Sequence, residues 1–216
     1  MALTGKTVNI IGAGSLGSFT ALLLAKMARA FSWELRLFDF DSVEAHNLRN
    51  QLFREADVGV SKVAALADIL RLLCGETLAL SATEAKIDNE TFLRDAIIVL
   101  VDNMKTRREA FEAAKYRADV SLFVDARSGG SAAMVYALNP RDPDQVRRYE
   151  ETLYNDEEAV PAPCADERTA PTIFAIAAAI ARILALYEND ALAGFIETLI
   201  NFEQLPNLKS SEHKED

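Results

Sequence analysis

Apolar positions in the first two thirds of the chain alternate between short runs and helical spacing, and that alternation predicts the elements. Residues 7–11 (TVNII) form a short apolar run ending in a glycine turn, as a parallel strand buried on both faces does. Residues 15–31 follow with apolar positions at helical spacing. The next strand is 34–38 (ELRLF), which runs into Asp39 and Asp41. A helix is expected over 62–73, with Ala64, Leu66, Ile69, Leu70 and Leu73 as its core face. Residues 78–83 give a third strand and 96–101 (AIIVLV) a fourth. A helix over 106–117, a fifth strand over 120–124 (VSLFV) and a sixth over 132–138 (AAMVYAL) continue the series. The sixth strand turns back antiparallel after Gly129-Gly130.

Strands alternating with helices imply an α/β fold. The pattern is that of a Rossmann-like, mostly parallel sheet with helices on both faces and an antiparallel extension after the fifth strand. It stops over 139–170, a stretch rich in proline and acidic residues that reads as a long functional or mobile loop. An apolar helix over 172–187 resumes it, followed by a shorter helix around 192–202. The charged end, 209–216, reads as disordered. These boundaries predict one domain over 1–205 and a tail over 206–216.

Bulk properties narrow the function classes. The chain has 216 residues, 50% of them hydrophobic, enough for one domain with a substantial core. A net charge of −10 disfavours nucleic acid as the main partner. The two cysteines, Cys74 and Cys164, are far apart and form neither a disulfide framework nor a CxxC metal site, which fits a reducing cytosol. The N-terminal residues carry no signal-peptide pattern. The most apolar stretch, 173–187, is short for a bilayer span and contains Arg182, so it reads as a buried helix. A cytoplasmic protein without a membrane partner is the expectation.

Candidate chemistry starts at Gly12-Ala13-Gly14-Ser15-Leu16-Gly17. A GxGxxG turn between a strand and a helix lets backbone approach a phosphate and aims free N–H groups at it. Asp39, about 20 residues on, stands where a ribose-binding acid belongs. By itself this pattern specifies only a nucleotide, and NAD, FAD, S-adenosylmethionine and ATP all satisfy it.

Further residues along the chain are more specific. Asp39-Phe40-Asp41-Ser42-Val43 leads to His46-Asn47-Leu48-Arg49-Asn50-Gln51-Leu52-Phe53 and then to Asp57-Val58-Gly59-Val60-Ser61-Lys62. Asp102-Asn103 closes the fourth strand and is followed by Thr106-Arg107. This order and spacing resembles the ThiF/MoeB/HesA family and the adenylation domains of ubiquitin-activating E1 enzymes, over residue 6 to about residue 138. The resemblance implies an adenylation domain that uses ATP and Mg²⁺ to adenylylate a carboxylate. The activated group is expected to be the C-terminal glycine of a ubiquitin-like or sulfur-carrier protein. In its terms Gly12, Gly14, Ser15, Leu16 and Gly17 cradle the nucleotide, Asp39 lies at the ribose, and Asp41 is a further nucleotide-binding position. Asn47, Gln51, Lys62 and Asn103 contact the nucleotide, and Asp102 is the Mg²⁺ ligand. The residue types suit adenylylation, since Lys62 offers a compact positive charge and Asp102 a hard oxygen ligand.

The sequence departs from the family's NLxRQ pattern, because Asn50 precedes Gln51 and the arginine stands one place earlier, at Arg49. Arg49 is the candidate for the ATP phosphates, with Arg54 as a further one. The shift leaves open a catalytically degenerate binding subunit, and a small-molecule or tRNA-linked carboxylate is another possible substrate. Cys164, in Pro161-Ala162-Pro163-Cys164-Ala165-Asp166, falls where E1-like enzymes carry a crossover loop. Its thiolate can take the acyl group from AMP as a thioester, or it is an ordinary packed cysteine. Cys74 ends an amphipathic helix and reads as structural. Arg127 can meet a phosphate, the incoming carboxylate or a partner across a dimer interface, and His46 is at most a contact residue. By resemblance the protein forms a homodimer around the sheet edge and the last helix.

Overall fold

The computed structural model describes residues 5–88, 90–155 and 169–202. Seven strands form one sheet in the order β3-β2-β1-β4-β5-β6-β7. The strands are β1 (Thr7–Ile11), β2 (Glu34–Asp39), β3 (Leu80–Glu84), β4 (Asp95–Val99), β5 (Val120–Gly129), β6 (Ala132–Leu138) and β7 (Ile196–Asn201). The first five are parallel, and β6 and β7 add on antiparallel. Among the described residues five α-helices cover the sheet: α1 (Ser15–Phe31), α2 (Lys62–Cys74), α3 (Met104–Ala114), α4 (Pro143–Glu150) and α5 (Ala170–Glu188).

The chain order decides which face each helix covers. From β1 it steps outward through α1 to β2 and through α2 to β3, then returns to the other side of β1 for β4. Right-handed crossovers in opposite directions place their helices on opposite faces. Accordingly α1, α2 and α5 pack on one face with Val8, Ile10, Leu35, Leu37, Ile98 and Val124. On the other face α3 and α4 pack with Ile97, Val99 and Phe123, and Phe111, Phe123 and Tyr149 pack edge to face. The reversal leaves a crevice at the carboxyl ends of β1 and β4, where open α/β sheets bind ligands.

Several expectations from the sequence need correction. Residues 192–202 do not form a helix: Ile196–Asn201 is β7, paired antiparallel with β6 from Ala137↔Ile196 to Ala132↔Asn201. Ile196, Thr198 and Ile200 alternate with Glu197 and Leu199, a period of two that suits a strand and not a helix, and Gly194 at φ 68° breaks the chain before them. The segment after residue 139 is not wholly irregular, because α4 begins at Pro143. Asp142 caps it by accepting from the backbone N–H of Asp144 and Gln145, and a proline at a helix start has no N–H to waste. The core face of α2 agrees with the expected one at Leu66, Ile69 and Leu70 and differs at its edges. Val63, Leu66, Ala67 and Leu70 are buried, while Ala64 and Leu73 are exposed. β5 continues past Val124 to Gly129 because β6 pairs with it along that whole length.

The helix α5 has 19 residues and is, by length and composition, long enough to cross a membrane, contrary to the shorter span read from the sequence. In the fold its Ile173, Ile176, Ile180 and Leu184 are buried within the protein. Cys164 and the charged tail 206–216 lie outside the described residues.

Candidate functional site

At the sheet crevice the chain encloses a cavity of about 480 Å³. The glycine turn forms one wall, and backbone packing dictates its composition. Gly12 has φ +97°, and a Cβ there would stand 2.6 Å from the Leu100 carbonyl oxygen. A Cβ on Gly17 would stand 1.9 Å from the Gly12 carbonyl oxygen. Gly14 has nothing within 4 Å of its would-be Cβ, so it keeps the mouth of the turn open. Gly14 is also the N-cap of α1 and supplies no side-chain cap, which leaves the first-turn N–H groups to a ligand.

Asp39 ties this turn to the end of β2. Its Oδ2 accepts from the Ala13 N–H at 2.6 Å and its Oδ1 from the Asp41 N–H at 2.9 Å. Each carboxylate oxygen has a second lone pair, which suits ribose hydroxyls. Lys62 lines the cavity with its side chain 11% exposed, and its Nζ lies 2.9 Å from Asp41 Oδ2. Ser15 Oγ donates to the Asn50 carbonyl at 2.7 Å and the Leu52 N–H donates to Ser18 Oγ at 3.1 Å, fastening the segment after β2 onto α1. Gln51 reaches the cavity by this route, and its buried Oε1 has no hydrogen-bond partner among the described residues.

Asp102 lies exposed beyond the end of β4 and lines the cavity. Its Oδ1 accepts from Asn103 Nδ2 at 3.2 Å, and Asn103 in turn caps α3 by accepting from the Thr106 N–H.

Other residues expected at the site stand outside this lining. Asn47 is buried in the short 3-10 turn Ala45–Arg49, where its Oδ1 accepts from the Glu44 N–H at 2.8 Å. Arg49 is on the exposed side of that turn. Arg54 pairs with Asp57 at 2.7 Å, and His46 stands 3.3 Å from Glu44.

The far wall is a side-chain cluster that sequence spacing could not assemble. Asp125 is fully buried at the centre of it. Arg107 Nη1 contacts Asp125 Oδ1, and Arg107 also donates to the carbonyls of Val101 and Ala126. Arg127 Nε donates to Asp125 Oδ2 at 2.8 Å, and Tyr149 Oη donates to the same oxygen at 3.0 Å. The remaining Arg127 contacts run to the Thr152 carbonyl at 2.7 Å and Thr152 Oγ1 at 3.0 Å. Burial, with Arg127 acting in the same direction, pushes the Arg107 guanidinium down to about 10, so it stays charged at neutral pH. Burial pushes the Tyr149 phenol up, which keeps its proton for Asp125. Arg127, one of the roles the sequence left open, is therefore in an ion pair within the chain.

Lys86 is a lining residue that sequence spacing does not reveal. Its ammonium stands 4.4 Å from the centre of the Phe40 ring. The loop after the third strand of a parallel sheet opens onto the same crevice, and that rule was the available signal.

A family model described as "ThiF family" matches residues 2–214, and the chain belongs to this family. The chain is 34% identical over 113 residues to "Adenylyltransferase and sulfurtransferase MOCS3" of Dictyostelium discoideum, covering 50% of this chain and 26% of that protein. It is 40% identical over 68 residues to "Ubiquitin-like modifier-activating enzyme 5" of Drosophila melanogaster, covering 32% of this chain and 16% of that protein. The chain thus spans about a quarter or less of the length of these curated relatives in the matched regions. Among solved structures, PaaA superimposes with a TM-score of 0.67 at 18% identity, covering 94% of this chain and 71% of that one. E. coli MccB with ATP gives 0.63 at 17% identity, covering 91% of this chain and 64% of that one. At these identities the structural likeness establishes the fold.

Proposed function

We propose that the chain binds ATP in this cavity and adenylylates a carboxylate, that of the C-terminal glycine of a ubiquitin-like or sulfur-carrier protein. The observation carrying this reading is that Gly14, Asp39, Lys62 and Asp102, far apart in sequence, line one cavity at the switch point of the sheet. It is supported by relatives named as an adenylyltransferase and a ubiquitin-like modifier-activating enzyme, and by the fold shared with MccB, whose structures include ATP and MccA.

In the reaction, a carboxylate oxygen of the partner attacks the α-phosphorus of ATP. The bond to the β-phosphate bridging oxygen breaks and pyrophosphate leaves. Gly14 and the open N-terminus of α1 receive phosphate oxygens, and Asp39 holds the ribose. Lys62 exchanges or shares Asp41 for a phosphate. Gln51, with its orphaned oxygen at the cavity, turns its amide to the ligand. Asp102 fits Mg²⁺, because an exposed carboxylate with spare lone pairs matches an ion that keeps several waters and binds phosphates alongside one or two protein oxygens. The metal would neutralise phosphate charge as pyrophosphate departs. Cys164, if it lies over the adenylate, would then attack the acyl carbonyl with AMP as the leaving group. A cytoplasmic homodimer joined around β7 and α5 completes the reading.

ATP–pyrophosphate exchange that requires a ubiquitin-fold protein ending in glycine is the expected result. Exchange should collapse in Asp102→Ala and in Lys62→Ala, and undiminished exchange in both variants would overturn the site assignment. A non-catalytic ThiF-type subunit is the second reading. It is favoured by the pairing of Lys62 with Asp41 and by the position of Arg49 outside the cavity lining. Calorimetric ATP binding without any exchange would establish it.

A further inference from the structure

We infer that Arg127 is the subsite for the entering carboxylate, at the opposite end of the cavity from the ribose. The inference rests on the adenylylation reading above.

Sheet order gives the first argument. Along the carboxyl ends of β2, β1, β4 and β5 stand, in turn, Asp39, the glycine turn, Asp102 and Arg127. Neighbouring strands lie about 4.8 Å apart, so Arg127 stands roughly 10 Å beyond the glycine turn. A nucleotide with its ribose at Asp39 and its phosphates between Gly14 and Asp102 leaves the β5 end to the second substrate.

Charge gives the second argument. Two guanidinium groups, Arg107 and Arg127, share the single buried carboxylate of Asp125, which leaves one positive charge uncompensated within this cluster. Of the two arginines, Arg107 is the more deeply buried, with 4% of its side chain exposed against 12% for Arg127. Arg127 gives Nε to Asp125 and Nη1 and Nη2 to Thr152, and Tyr149 also hydrogen-bonds its side chain, while the residue still lines the cavity. Arginine offers a carboxylate paired, charge-assisted hydrogen bonds that a lysine cannot reproduce.

Shape gives the third. The cavity wall beside Arg127 consists of Ala126, Ser128 and Gly130, with Tyr154 closing one side. Gly130 sits at φ +76° with nothing within 4 Å of its would-be Cβ. Small residues here admit an extended tail whose last residues are themselves small. The ring of Tyr136, 4.7 Å from the guanidinium carbon, fixes the plane of Arg127. The hydrogen bonds to Thr152 further join the subsite to the chain after α4, so the segment entering the long connection is held by the same side chain that would read the substrate.

The test uses the full chain, the non-hydrolysable analogue AMPCPP with Mg²⁺, and an octapeptide ending in Gly-Gly, as the free acid and as the C-terminal amide. The free acid is expected to bind about tenfold tighter than the amide, the size of one charge-assisted hydrogen bond. It should also shift the backbone amide resonances of Ser128 and Gly130 where the amide peptide does not. Arg127→Gln should abolish the acid preference, and Arg127→Lys should recover only part of it, while the affinity for AMPCPP changes by no more than about threefold. Three results would overturn the inference. They are no acid preference in the unaltered protein, an acid preference that survives Arg127→Gln, and a parallel loss of AMPCPP affinity, which would make Arg127 a phosphate ligand. The resonance shifts need no variant, so they decide the matter even if Arg127→Gln fails to fold. Failure of the adenylylation reading itself would be seen separately, as AMPCPP that does not bind or as ATP binding without ATP–pyrophosphate exchange.

Discussion

Backbone packing shapes the cavity at its β1–α1 end, whereas a side-chain cluster shapes it at the β5 end. The glycine turn works because Gly12 and Gly17 let main chain meet main chain, and because α1 begins without a cap. All of its parts fall within six consecutive residues. The Asp125 cluster draws Arg107 from α3, Arg127 from β5, Tyr149 from α4 and Thr152 from the turn after it. A turn of the first kind is compact in sequence and tolerates no added atoms at Gly12 or Gly17. A cluster of the second kind is specified by the packing of distant elements and depends on its one buried carboxylate.

Three substitutions sharpen that contrast, in descending order of effect. Asp125→Asn should be the most damaging to stability, because it leaves two buried cations facing each other; the expected cost is about 3–5 kcal/mol. Urea denaturation would read it, and a cost within error of zero would mean the cluster is not a structural hub. Gly17→Ala should cost about 1–3 kcal/mol by forcing apart the turn and α1, and should weaken ATP binding along with stability. If calorimetry shows full ATP affinity in that variant, the turn is not the phosphate cradle.

The smallest effect belongs to Arg54→Ala, which removes the ion pair between the half-exposed Arg54 and the buried Asp57, outside the cavity lining. The hydrogen bond from Arg54 holds the Asp57 carboxyl below its ordinary value of 3.8. A depressed folded-state value means that the contribution is fully present above the unfolded value and is lost as pH falls through the folded one. The gap in urea midpoint between the parent and Arg54→Ala should therefore be small but measurable at neutral pH and close towards zero in strong acid. A gap that widens on acidification would contradict the assignment.

How much of this is legible in the sequence follows from the same contrast. The first strand, α1 and the glycine turn are readable because hydrophobic period and the GxGxxG spacing are local, although the exclusion at Gly12 comes from the distant Leu100. Asp39, Lys62 and Asp102 are readable because each stands at a strand or helix end of a parallel sheet. β7 is not, because its alternation of Ile196, Thr198 and Ile200 is short, and only pairing with β6 chooses strand over helix. The core face of α2 is legible at Leu66, Ile69 and Leu70, but its edges are not, since the direction of the sheet decides that Val63 and Ala67 are inward and Ala64 and Leu73 outward. Asn47 and Arg49 carry the right residue types, but the 3-10 turn holding them directs Asn47 to Glu44 and leaves Arg49 exposed.

The sequence by itself determined an alternating α/β chain of the ThiF type, with a glycine turn after the first strand and acids and a lysine at the ends of its elements. Those features follow from hydrophobic period and from the GxGxxG spacing, which act over a few residues. Only the tertiary structure decided that Asp125, Arg107, Arg127 and Tyr149 share one buried site, and that it closes the far end of the same cavity. Ion pairing between distant residues depends on where the sheet brings them and on the low dielectric it creates there, and no spacing along the chain encodes that.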